Sequence, residues 1–145
     1  MKSLVTFFSL NESQDEYFCV CETVKKLYKI QKKILIISDV SFCEKIDNLL
    51  WSFEQNSFIP HKIYNYKDNA DTPVMIITNF SNNHTNLLKN YSTIINVTNT
   101  ALINLHENLE IYEFVGNDEA RKNICREKYL AYKNNKFELL HKNYQ

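Results

Sequence analysis

Two short runs in this chain, residues 34–37 and 74–77, are apolar at every position. A strand with one solvent-exposed face alternates apolar and polar residues, whereas a strand covered on both faces is apolar throughout. The two runs therefore predict buried strands in a layered α/β protein. They are the strongest constraint that the sequence places on the fold.

Between and around these runs, patterns of period two and of period 3.6 alternate along the chain. A parallel sheet whose strands are joined by helices produces this alternation. We expect one α/β domain over residues 1–145, with a mostly parallel sheet and helices on both faces. The predicted strands are 4–10, 34–37, 74–77, 93–97 and 111–115, with a short one within 59–66; the predicted helices are 15–31, 41–53, 81–90 and 118–134, with one helical turn at 101–105 and a weakly periodic tail from 136 to 145.

Glycine occurs once, at Gly116, and proline twice, at Pro60 and Pro73. Loops that cradle phosphate groups need several glycines, so that backbone N–H groups can approach the ligand. The composition therefore excludes a Walker-type loop, a GxGxxG fingerprint and a GxSxG nucleophile elbow. The 17 basic residues balance the 17 acidic ones, so contact with DNA requires a local basic patch or a partner protein.

Four cysteines and four histidines show no metal-ligand spacing, and no serine, histidine and aspartate are arranged as a nucleophile with its base. No apolar stretch is long enough to cross a membrane, and the apolar start of the chain lacks the cleavage site of a signal peptide. We therefore expect a cytoplasmic protein without contact to a membrane, with reduced thiols, no metal, no cofactor and no catalytic residues.

Three features each allow a functional and a structural interpretation. Asp39 follows the apolar strand 34–37, where it either contacts a nucleotide in the cleft of a Rossmann-like enzyme or caps the next helix. On the last helix Lys122, Arg126, Tyr129 and Lys133 share one face, and Ala120, Ile124 and Ala131 share the opposite one, which we expect to face the core.

The basic face with its embedded tyrosine is either a solvated surface or a binding surface. An apolar slot beside a guanidinium suits a peptide that brings both an apolar side chain and carboxylates. It is also a candidate surface for single-stranded DNA, although that would require more stacking rings and a wider basic groove.

Trp51 and Phe58, near a helix end, are either core residues or a hot spot for a partner protein.

Around Trp51 and along the last helix, the sequence resembles a known family, the chi subunit of bacterial DNA polymerase III holoenzyme. The resemblance is carried by residues 46–51 (IDNLLW), 57–61 (SFIPH), 72–76 (TPVMI) and 113–115 (EFV), followed by REKY, AYK and F within 126–137. Order, spacing and length all agree with the family. The box from Trp51 to His61 and the last helix are its most specific parts.

The resemblance implies a Rossmann-like α/β domain with no known catalytic activity, which joins the clamp loader to single-stranded DNA-binding protein. It implies a site for the acidic, Phe-terminated tail of that protein at Val115, Lys122, Arg126 and Tyr129, and we include Lys133 as a fifth residue of this site. It also implies a surface for the psi subunit at Trp51, Phe58 and Pro60, and contact with DNA only through partners. Whether a helicase shares the Trp51 surface is left open.

Some positions depart from the family pattern. Leu130 stands where a basic residue is expected, so that the tail binds less tightly or Lys133 takes over the role. Gly116 and Asn117 replace the acidic and aromatic residues expected there.

Overall fold

A seven-stranded sheet runs through the computed structural model, which describes residues 3–52, 59–65, 72–105 and 108–145. Every strand pair is parallel, in the order β3-β4-β2-β5-β6-β1-β7. The strands are β1 (Leu4–Ser9), β2 (Ile34–Ser38), β3 (His61–Ile63), β4 (Val74–Thr78), β5 (Thr93–Asn96), β6 (Glu110–Val115) and β7 (Glu138–Asn143); the helices are α1 (Glu16–Lys29), α2 (Val40–Ser52) and α3 (Glu119–Asn134), with a 3-10 helix at Asn82–Lys89.

Helices cover both faces of the sheet and form two cores. On one face, α1 and α2 pack against alternate residues of the central strands, such as Ile36 and Ile76. On the other face, α3 and the 3-10 helix pack against the residues between them, such as Ile37 and Ile77. Because both faces of β2 and β4 are covered, these strands are apolar throughout. The predicted parallel α/β architecture is therefore confirmed.

Polar caps fix where the helices begin. The Asp15 carboxylate accepts a hydrogen bond from the Phe18 amide at 2.9 Å, and Asp118 accepts one from the Arg121 amide at 2.7 Å. These bonds satisfy amides that the first turn of a helix leaves without a partner. Asp118 caps α3, the helix that carries the predicted binding face.

The structure corrects two element predictions. Residues 101–105 contain no helix; Ala101 and Ile103 pack as irregular backbone against the core of the α3 face. The weakly periodic tail forms β7, which pairs with β1. Its side chains are largely exposed, so its pattern lacked the apolar alternation from which a strand is recognised.

The prediction for the buried face of α3 was also wrong. Ala120 is exposed, Ile124 and Ala131 are only partly buried, and the buried residues are Cys125, Lys128 and Tyr132. These three positions are spaced as one helix face. A lysine and a tyrosine occupy it because a buried carboxylate faces them from the sheet, as described below.

Candidate functional site

A pocket of about 420 Å3 opens between α3 and the end of the sheet formed by β1 and β7. It is lined by Phe7, Ser9, Val115, Lys122, Cys125, Arg126, Tyr129 and His141. Phe7, Val115 and Tyr129 are apolar or aromatic, and Lys122 and Arg126 carry cationic groups that bind anions. The pocket therefore combines an apolar interior with a cationic rim.

The register of the strands positions the inner wall. Phe7 of β1 lies opposite His141 of β7, and both side chains point toward α3. The His141 Nε2 and Ser9 Oγ atoms are 2.6 Å apart, which ties the edge strand to its neighbour. Val115 lies at the carboxyl end of β6, where the chain leaves the sheet toward α3.

Tyr129 supplies the aromatic wall from the helix side. Its ring centre is 5.7 Å from that of Phe7, and 41% of the residue is exposed. Cys125 also lines the pocket, and burial raises the pKa of its thiol to about 11. At neutral pH this thiol is protonated and contributes apolar surface rather than charge.

Arg126 and Lys122 form the cationic rim on successive turns of α3. The Arg126 guanidinium donates a hydrogen bond to the Asn123 side-chain oxygen at 2.5 Å and lies 3.9 Å from a Glu119 carboxylate oxygen. Its side chain is 63% exposed, so most of its five N–H donors face solvent. It can therefore form a bidentate pair with an incoming carboxylate.

Four of the five residues predicted for the tail site come together in this pocket: Val115, Lys122, Arg126 and Tyr129. Lys133 is exposed one turn beyond and is not among the residues that line it. Leu130 is 57% exposed. The sequence did not indicate Phe7, Ser9 or His141, because β7 was not recognised and its pairing with β1 was unknown.

A buried polar network anchors α3 below the pocket. The Glu113 carboxylate, fully buried on β6, accepts hydrogen bonds from Lys128 Nζ at 2.7 Å, the Tyr132 hydroxyl at 2.6 Å and the Asn96 amide at 2.7 Å. Burial raises the pKa of Glu113, and the Lys128 ammonium and these three hydrogen bonds oppose the rise. This network turns Lys128 and Tyr132 inward and thereby turns Arg126 and Tyr129 toward the pocket.

The second predicted surface lies at the end of α2, where Trp51 is 57% exposed. Its ring centre is 4.5 Å from that of His61. The His61 Nδ1 atom lies 2.7 Å from the Ile59 carbonyl oxygen, which only accepts hydrogen bonds, so Nδ1 is the donor. The other ring nitrogen is 3.3 Å from an Asp47 carboxylate oxygen.

These contacts hold residues 59–61 against α2, with the partly buried Pro60 among them. Phe58, the third residue predicted for this surface, lies outside the described residues.

The predicted alternative placed Asp39 in a nucleotide cleft. Its carboxylate instead accepts hydrogen bonds from the Phe42 amide at 2.8 Å and the Ser41 hydroxyl at 3.0 Å. The capping interpretation of Asp39 is therefore confirmed. Within the described ranges, no group of three or more His, Cys, Asp or Glu side chains is placed to hold a metal ion, and no helix could cross a membrane.

The usual ligand crevice of an open α/β sheet lies between neighbouring strands whose following helices cover opposite faces. Here β1 and β6, followed by α1 and α3, are one such pair, and β2 and β4, followed by α2 and the 3-10 helix, are another. At the first pair, Arg121 of α3 and Glu16 of α1 form an ion pair across the crevice. A Cβ atom at Gly116 would lie 3.0 Å from Arg121 Cγ, so the chain's glycine stands where the arginine passes.

Comparison of the sequence with models of protein families gives a match. Residues 1–140 match the family model described as DNA polymerase III chi subunit, HolC. A search of curated proteins finds none that matches the chain. The match covers nearly the whole length, and the family consists of non-catalytic accessory subunits. The chain therefore belongs to the DNA polymerase III chi subunit family and is an accessory subunit of the replisome.

Proposed function

We propose that this chain is an adaptor, working in the cytoplasm, that joins the clamp loader to single-stranded DNA-binding protein. One surface binds the acidic C-terminal tail of that protein, and another binds a psi subunit. The pocket between α3 and the β1–β7 edge is the observation that carries the first part of the proposal.

The chemistry of the pocket matches the chemistry of such a tail. A C-terminal phenylalanine brings a ring and a carboxylate on one residue, and preceding acidic residues bring further negative charge. The rings of Phe7 and Tyr129, with Val115, provide apolar contact for the phenylalanine ring. Arg126 and Lys122 provide charge-assisted hydrogen bonds for the carboxylates.

The first experiment is a fluorescence-anisotropy titration of the full chain with a labelled acidic peptide ending in Asp-Ile-Pro-Phe. A second peptide without the final phenylalanine serves as the control. We expect saturable binding that requires the phenylalanine and weakens with added salt, since the rim charges are exposed. Equal binding of both peptides, or none at low salt, would contradict the proposal.

Replacing Arg126 tests the rim directly. We expect Arg126→Ala to weaken peptide binding by about 1–3 kcal/mol, because it removes a charged hydrogen-bond donor from the site. Lys89→Ala is the matched control, since it removes one exposed positive charge on the 3-10 helix, away from the pocket. Lys133→Ala should have a smaller effect than Arg126→Ala. The assignment fails if Arg126→Ala binds the peptide as tightly as the unaltered chain.

The exposed Trp51 carries the second part of the proposal, a psi-binding surface. Large exposed aromatic residues are enriched among the anchors of protein interfaces. We expect Trp51→Ala to abolish co-purification with psi while leaving tail binding unchanged. Phe18→Ala removes another half-exposed ring, on α1, and is the matched control. If Trp51→Ala loses the fold together with both activities, the residue has only a structural role.

A further inference from the structure

A further groove lies on the opposite face of the sheet from the α3 pocket. On the α1 side of the sheet, α1 and α2 pack over β2, β3 and β4, while β6, β1 and β7 border an open groove of about 590 Å3. Phe8, Tyr112 and Tyr144 line it together with Lys26 and Lys142. We call it the α1–β7 groove.

Three aromatic rings form one continuous part of its lining. The ring centre of Phe8 is 5.6 Å from that of Tyr112 and 6.1 Å from that of Tyr144, both in edge-on geometry. All three residues are partly buried, so each keeps some exposed surface. The Tyr144 hydroxyl donates a hydrogen bond to a Glu22 carboxylate oxygen at 2.5 Å, which fixes the orientation of its ring.

Two lysines supply positive charge beside these rings. Lys26 Nζ lies 5.6 Å from the centre of the Tyr144 ring, and Lys142 of β7 also lines the groove. The Glu22 and Glu110 carboxylates add negative charge near Tyr144 and Tyr112. Glu22, the acidic side chain in contact with Tyr144, is engaged with the tyrosine hydroxyl.

We propose that the α1–β7 groove binds a short stretch of single-stranded DNA directly. Bases stack on the rings of Phe8, Tyr112 and Tyr144, and the ammonium groups of Lys26 and Lys142 pair with phosphates. Aromatic platforms within a basic groove bind single strands without reading their sequence. This proposal does not depend on the tail site.

The alternative ligand, an acidic peptide, suits the α1–β7 groove less well. Arginine, which pairs in bidentate fashion with carboxylates, lines the α3 pocket but not this groove. Lysine acts as a point charge and serves phosphate equally well. Three neighbouring rings also exceed what one terminal phenylalanine needs, whereas successive bases use several.

The test is an anisotropy titration of the full chain with a labelled oligothymidylate at low ionic strength. The variant Lys26→Ala/Lys142→Ala should lower the affinity about tenfold and reduce the slope of log affinity against log salt by about 1.4, or about 0.7 for each lost phosphate contact. Lys45→Ala/Lys89→Ala removes the same charge elsewhere and should change neither quantity.

Equal losses in the two double variants would show general charge attraction and overturn the proposal. So would a loss confined to Lys122→Ala/Lys133→Ala, which would place the strand on α3. Competition by the acidic tail peptide, without any loss in Lys26→Ala/Lys142→Ala, would assign the binding to the α3 pocket instead.

Stacking is tested separately at Tyr112. Tyr112→Phe keeps the ring and should retain binding, whereas Tyr112→Leu removes it and should lower affinity about tenfold, within the range seen for loss of one base-stacking ring. Thermal unfolding of both variants shows whether each is folded at the temperature of the titration. Equal affinities of the folded Phe and Leu variants would exclude stacking on this residue.

Discussion

At the scale of single residues, the buried Glu113–Lys128 pair explains how α3 is oriented on the sheet, with its proposed binding face toward the pocket. Both side chains are at most 5% exposed, and Lys128 Nζ lies 2.7 Å from the carboxylate. Two charges taken out of water depend on each other and on the Tyr132 and Asn96 hydrogen bonds. The pair therefore couples the orientation of the helix to the sheet.

We expect Lys128→Met to lower the free energy of unfolding by about 3–5 kcal/mol, because it leaves a buried carboxylate without its counter-charge. Urea unfolding at pH 7 measures this. The double variant Glu113→Gln/Lys128→Met keeps a buried polar group that Tyr132 and Asn96 can still satisfy, and should recover part of the loss. A single variant as stable as the unaltered chain would show that the pair contributes little.

The pH dependence of Lys128→Met follows from the pKa of Glu113, which burial already raises. Without Lys128 the pKa of Glu113 rises further, so Glu113 binds a proton more tightly in the folded state than in the unfolded state. Stability is then highest below the ordinary pKa of glutamate and is lost as pH rises through the folded-state pKa. The difference between Lys128→Met and the unaltered chain should therefore grow from pH 5 to pH 8.

At the scale of elements, α3 depends on its cap. The Asp118 carboxylate accepts the Arg121 amide at 2.7 Å, at the start of the helix that carries the rim of the pocket. We expect Asp118→Ala to lower the free energy of unfolding by about 1 kcal/mol, and Asp118→Asn to preserve most of it. Urea unfolding of both variants measures the cap. Equal losses in both would mean that the negative charge near the helix dipole, rather than the hydrogen bond, is what stabilises α3.

The same helix shows what the sequence could predict. Its bounds followed from Asp118 and from the periodicity, whereas its buried face did not, because Lys128 and Tyr132 are polar in composition but satisfied by Glu113. Similarly, apolar β2 and β4 were found at once, while the exposed β7 was not. Pocket residues on α3 were accessible to reasoning from one helix, but Phe7 and His141 required knowledge of a pairing across the whole chain.

At the scale of the whole molecule, the two proposed partner surfaces lie at opposite edges of the sheet. Trp51 stands beside β3, and the tail pocket is built on β7. Six strand spacings of about 4.8 Å separate these edges by roughly 29 Å. The two surfaces share no residue, and a continuous hydrogen-bonded sheet connects them.

We therefore expect the two binding events to be independent. Tail-peptide affinity should be the same with and without bound psi. In the double variant, the changes in binding free energy caused by Arg126→Ala and by Trp51→Ala should be additive, as they are for distant sites. Titrations of each ligand in the presence and absence of the other measure this coupling. A change in peptide affinity of tenfold or more upon psi binding, about 1.4 kcal/mol, would show communication through the sheet.

The pairing of β7 with β1 also determines how late in synthesis the proposed tail pocket can form. Its wall joins Phe7 to His141, which follows 134 residues later in the sequence. A contact between residues so far apart in sequence forms only after the intervening chain closes as a long loop. The proposed tail pocket therefore cannot form on the ribosome before His141 has been synthesised.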